Sequence, residues 1–147
     1  MKRVVLSFLI LLLPASAAAQ APAWEIDPVE SKVGIHVVPN FGDDPTVYSP
    51  TISEDAVRSA LQSVDWVDGF NQVVVVLSPG TSMEVGGSLN PDHGLSAVYR
   101  NRNEQIEAVT KDAPETVADM EAILVAFLKP GNSWTRVREF EFWHGRR

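Results

Sequence analysis

The sequence predicts an α+β fold: a mostly antiparallel sheet of about five to six strands with two helices on one face. Three observations carry this expectation. Two capped amphipathic segments flank a block of strand-like runs. Short turns rich in Gly, Pro, Asn and Asp separate those runs. One run, Val73 to Val76, is continuously β-branched, as an inner strand covered on both faces would be.

Lys32 to Val38 (KVGIHVV) alternates partly and is rich in Val and Ile, which predicts a first strand. The following PNFGDDPTVYSP reads as a loop, by the turn chemistry of Pro, Gly and Asp. A helix is expected from Glu54 to about Val64. Ser53 caps it, Glu54 and Asp55 sit where the helix dipole favours negative charge, and Val57, Ala60, Leu61 and Val64 form one apolar stripe. Four strand runs follow: Phe70–Leu77, Ser82–Leu89, Leu95–Arg100 and Glu104–Thr110. Gly86-Gly87 inside the second of them marks a bulge or a close approach of two backbones. A second helix starts at Thr116, where T-V-A-D has the form of a capping box, and stops at Pro130-Gly131. Trp134 to Trp143 alternates charged and apolar residues and reads as a closing strand.

The chain of 147 residues has the length of a single domain. Residues 1–19 read as an export signal: Lys2 and Arg3, the apolar run Val4–Leu13, then Pro14 and an A-x-A site ending at Ala19. The run holds ten residues, about half of what a membrane-spanning helix needs. Residues 20–31 are a lead-in, with Trp24 expected to dock on the body. Residues 32–143 form the domain and 144–147 a tail. The expected location is the periplasm, with no stable membrane anchor after cleavage near Ala19. With no cysteine, disulfides, thiolate chemistry and lipid attachment at a cysteine are excluded.

The net charge is −7; without Lys2 and Arg3, 10 basic residues face 19 acidic ones, or −9. Phosphate binding needs a positive stripe, so a nucleic-acid partner is not expected. The three histidines, His36, His93 and His144, have no metal-ligand spacing. Asp43-Asp44 and Asp65/Asp68 lack the alternating pattern of a calcium loop and read as turn formers. The serines lack a nucleophile-elbow setting. Glu139 and Glu141 would be neighbours on one strand face rather than carboxylates opposed across a cleft. No catalytic residue, metal or cofactor is therefore expected.

From Ile52 to Trp134, 83 residues, the chain resembles the Imm1-like group of small bacterial toxin-immunity proteins. The resemblance is carried by ISEDAVRSAL, VVVVL, the GG-bearing hairpin MEVGGSL…GLSAVYR, and ETVADMEAILVAFLKPGNSW. It implies a non-catalytic protein that neutralises a toxin by covering its active site. The leader then implies a toxin acting in the periplasm, and the acidic balance is compatible with a basic one. Contacts are expected from residues the core does not use: Asp92 and His93 at one hairpin tip, and Arg100, Arg102 and Glu104 at the opposite end. Two other readings stand beside this one. An exported accessory or ligand-binding module would carry an exposed Trp143 and an exposed last strand. A small hydrolase would draw on His36, His93 or the loop aspartates.

Overall fold

A computed structural model describes residues 24–145. The proposed export signal and the last two residues of the tail lie outside the described residues. The strands are β1 (Gly34–Val38), β2 (Thr46–Ser49), β3 (Asn71–Ser78), β4 (Thr81–Ser88), β5 (Gly94–Asn101), β6 (Ile106–Thr110) and β7 (Phe140–His144). They form one antiparallel sheet in the order β2-β1-β3-β4-β5-β6-β7. The helices are α1 (Glu54–Gln62), α2 (Val117–Phe127) and the single turn α3 (Trp134–Val137).

The α+β class holds, with two corrections. The sheet has seven strands rather than five or six. The extra one, β2, lies inside the stretch that reads as a loop. It is a four-residue edge strand exposed along most of its length, so no face of it carries a buried alternation. Pro45 and Pro50 bracket it, and the β1–β2 register slips between Ile35 and His36. Short length, flanking prolines and a bulge all blunt a sheet edge against further pairing. The second correction concerns the last run. Residues 134–137 are helical, and the strand begins only at Phe140. The helical turn sets the Trp134 ring against Tyr99 at 4.5 Å and edge-on to Phe140 at 4.7 Å.

The two longer helices form where their caps and stripes require. Ser53 Oγ accepts the Ala56 amide at 3.1 Å. Thr116 Oγ1 accepts the Asp119 amide, and Asp119 Oδ2 accepts the amides of Thr116 and Glu115, completing the capping box. Both helices pack on one sheet face. Val57, Leu61, Met120, Ile123, Leu124 and Phe127 meet Ile35, Val73, Val75, Met83, Val85 and Ala97. Arg58 ties α1 to Glu121 of α2 at 2.7 Å.

The other sheet face is closed differently. Residues 24–33 cross it as a strap. Val29 packs on Val38, Val74 and Val76, so β3 is indeed buried on both faces. Gly87 has φ +116°, and a Cβ there would collide with the Gly94 carbonyl oxygen of β5, while a Cβ on Gly86 would meet the Gln72 side chain of β3 at 2.8 Å; the Gly-Gly pair lets β4 approach both neighbours closely.

Leu124 is fully buried between α2 and the sheet. Leu124→Ala is expected to cost about 2–5 kcal/mol through lost burial and a residual cavity. Urea unfolding followed by circular dichroism measures it.

Candidate functional site

Three loops meet at the end of the sheet where β1 and β4 finish and β3 and β5 begin: residues 39–45, 63–70 and 89–93. Backbone and side-chain hydrogen bonds join them. The Phe41 amide donates to the Phe70 carbonyl at 3.0 Å and the Leu89 amide to the Trp66 carbonyl at 2.7 Å. Ser88 Oγ donates to the Val67 carbonyl at 3.1 Å. Asn71 is buried among them. Its Oδ1 accepts the Asn40 amide, and its Nδ2 donates to the carbonyls of Asp65 and Asp68.

These loops carry large apolar groups into solvent. Phe41 is 72% exposed and Val67 63%, with Leu89 also exposed. Phe41 stacks on Phe70 at 4.8 Å, and His93 meets the Phe41 ring edge-on at 6.4 Å. Asn40, Phe41 and Asp44 all have positive φ, which non-glycine residues adopt at a cost in strain. The same three loops carry five aspartates, Asp43, Asp44, Asp65, Asp68 and Asp92, all exposed, and contain no Lys or Arg. Between Lys32 and Arg100 the only basic residue is Arg58. It is engaged by Glu54, Asp55 and Glu121.

Asp65 Oδ1 accepts the amides of Asp68 and Val67 at 3.1 and 2.9 Å, an Asx turn. The Asp68 amide first, then that of Val67, holds the Asp65 carboxyl below the usual carboxylate range. Among the described residues no three His, Asp or Glu side chains converge as metal ligands.

The five residues singled out from the sequence separate into different places. Asp92 and His93 lie exposed at the three-loop end; the Asp92 amide is held by Asn90 Oδ1. Arg100 and Arg102 instead sit on the strap-covered face. Arg102 grips Glu30 with Nε–Oε2 at 2.9 Å and Nη2–Oε1 at 3.0 Å, and Glu30 is only 2% exposed. Arg100 pairs with Glu84 at 2.6 Å and Glu107 at 3.4 Å. Burial works against the Arg100 charge, but Glu84, Glu107 and Glu30 outweigh it and hold the guanidinium pKa above its ordinary value. Glu104 is exposed in the β5–β6 turn at the far end. Sequence reasoning missed Phe41, Val67 and Leu89. The missing basic residues from 59 to 99 were the available signal.

Between strap and sheet lies a cleft of about 460 Å³. Val29, Val38, Val74 and Pro45 form apolar walls, and Asp27, Glu30 and Glu84 contribute carboxylates. Glu84 accepts hydrogen bonds from Gln72 Nε2 and Arg100 Nη1.

Removing Arg102 would leave the Glu30 carboxylate buried without its clamp. Arg102→Ala is expected to destabilise by about 3–5 kcal/mol, and the double variant Glu30→Leu/Arg102→Met to recover most of that loss. Chemical unfolding of the three proteins tests this. A second expectation concerns pH. The folded-state pKa of Asp65 is lowered, so its contribution is complete above the unfolded value of about 3.9 and is lost as pH falls through the folded value. Thermal melts at stepped pH should show Asp65→Asn less stable than the parent near neutrality and the two converging in acid, so that the acid limb of the variant is the shallower.

No protein-family model, curated protein or solved structure matches the chain. What this protein does must therefore be read from its own residues.

Proposed function

We propose that this is an exported, non-catalytic binding protein of the immunity type, which covers the active site of a basic secreted toxin in the periplasm. The observation that carries the reading is the three-loop end. Its loops carry exposed Phe41, Val67 and Leu89 together with five exposed aspartates and no Lys or Arg. Folding gives no reason to expose a phenylalanine on a strained backbone. A partner that buries its ring does. Aromatic side chains in the middle of a contact supply most of its free energy, and a charged rim steers encounter and selects partners. Five aspartates select for positive charge. The inter-residue bonds at this end are spent holding the loops together.

The histidine at the tip fits the same reading. His93 lies beside the Phe41 ring and is exposed, so it adds contact area rather than a buried, oriented base. Arg100 and Arg102 are withdrawn from the surface by their glutamates and belong to the scaffold in this account.

The test is a pull-down of the protein from an envelope fraction, and with a toxin domain encoded in a neighbouring reading frame, followed by binding kinetics. Asp92→Lys should slow association while leaving stability within about 0.5 kcal/mol, the usual range for a surface change. Phe41→Gly should speed dissociation at least tenfold. Because glycine accepts positive φ freely, its melting temperature should stay level or rise. Unchanged kinetics in both variants would remove this end as the contact surface. A large drop in melting temperature would make Phe41 structural instead.

A further inference from the structure

We infer that the cleft beneath the strap binds a small organic cation, a guanidinium or ammonium group carried on a short apolar body. This cleft lies under the strap; it shares Gly42 and Pro45 with the loop that carries Phe41, but the exposed Phe41 ring is not part of its lining, and the proposal does not rest on the proposed function. Shape is the first ground. About 460 Å³ falls within the range of ligand-sized pockets. The division of the walls is the second. Val29, Val38, Val74 and Pro45 offer an apolar lining on which an alkyl chain can lose its water. Charge is the third. Asp27, Glu30 and Glu84 line the cleft, and none of the described residues that line it is Lys or Arg.

The two nearby arginines do not cancel this. Neither lines the cleft; Arg102 pairs with Glu30, and Arg100 with Glu84, Glu107 and, at 3.9 Å, Glu30. Counting Asp27 and Glu107, four carboxylates face two guanidiniums. Each carboxylate oxygen can accept more than one hydrogen bond. Glu84 Oε1 takes one from Gln72 and Oε2 one from Arg100, and Asp27 Oδ1 takes the Glu30 amide. Acceptor capacity and negative charge therefore remain on the cleft side of residues fixed in place by their existing bonds. A cation with several N–H donors matches that arrangement, and an anion would meet repulsion.

Two sources share this chemistry: a free solute, or an arginine side chain presented by a protein. The experiment is ¹H–¹⁵N NMR titration of the purified protein with n-butylguanidinium, with n-butanol and butyrate as probes of the same apolar body, and with arginine blocked at both ends. n-Butylguanidinium should give saturable shifts centred on Val29, Val38, Gln72 and Val74, while n-butanol and butyrate should not saturate. Asp27→Asn and Glu84→Gln should each weaken binding at least threefold, and together at least tenfold. Asp27 is exposed and asparagine keeps its Oδ1 acceptor, so a melt of Asp27→Asn should match the parent, whereas Glu84→Gln replaces one of two occupied acceptor oxygens by a donor and should melt lower, so its binding is read at a temperature where a melt shows it folded. Blocked arginine binding as tightly as n-butylguanidinium assigns the site to a presented side chain; much weaker binding assigns it to a free solute. Shifts that fail to saturate, that lie elsewhere, that n-butanol reproduces, or that survive the double substitution would overturn the proposal. Loss of toxin binding in Phe41→Gly would leave these shifts in place, so failure of one reading is distinguishable from failure of the other.

Discussion

The buried carboxylate of Glu30 is the constraint around which the molecule is arranged. Two helices can cover only one face of a seven-stranded sheet, and the second face carries Val74 and Val76 in its central strand. A strap of ten residues, 24–33, closes it. So short a segment cannot bury enough apolar surface to hold itself down. It is held by the two-pronged grip of Arg102 on Glu30 and by the Gly80 amide, which donates to the Glu30 carbonyl. A buried ion pair adds little stability over an apolar substitute, but it fixes a single position for the strap. That position creates the cleft.

The cleft and the exposed aromatic end share one loop. Gly42 and Pro45 line the cleft, while Phe41 between β1 and that lining points to solvent. Asn40, Phe41 and Asp44 adopt left-handed conformations between these neighbours, so the loop departs from the regular alternation of a strand. Regular strand geometry would alternate the side chains but would also pair the backbone, and the loop would become part of the sheet.

Much of the scaffold was legible in the sequence because its signals are local. The Thr116–Asp119 box, the Ser53 cap, the continuous Val73–Val76 run and the Gly-Gly approach each depend on residues a few positions apart. The misreadings share the opposite property. β2 has no buried face, so hydrophobic alternation had nothing to report, and two prolines argued for a loop. In the closing run, the alternation of WTRVREFEFW is real, but the rings of Tyr99 and Phe140 fix Trp134 in a helical turn that no local pattern encodes. Arg100 and Arg102 looked like surface charge because their partners Glu30 and Glu84 lie far away along the chain. At the three-loop end, Asp92 and His93 were visible as turn residues. Phe41 was not, since a phenylalanine between Pro, Asn and Gly gives no sign of whether it faces inward.

A surface that exposes phenylalanine, valine and leucine would be expected to relax by folding them under. Asn71 prevents this. It stands at the first position of β3, fixed by the ladder to Gly87, and its amide side chain reaches two of the three loops. The third is tied in through Ser88 and Leu89 to the carbonyls of Val67 and Trp66, while the Trp66 ring is itself buried and donates to Leu61 of α1. Each loop is thus anchored to the core by a polar group with no freedom to move alone. The apolar side chains on top inherit that rigidity, although they contribute little to it. Preorganisation of this kind lowers the entropy lost when a partner docks, so even a modest contact area can yield tight binding. The strain at Phe41 persists because the surrounding hydrogen bonds over-determine the backbone, which separates what keeps this end folded from what it presents.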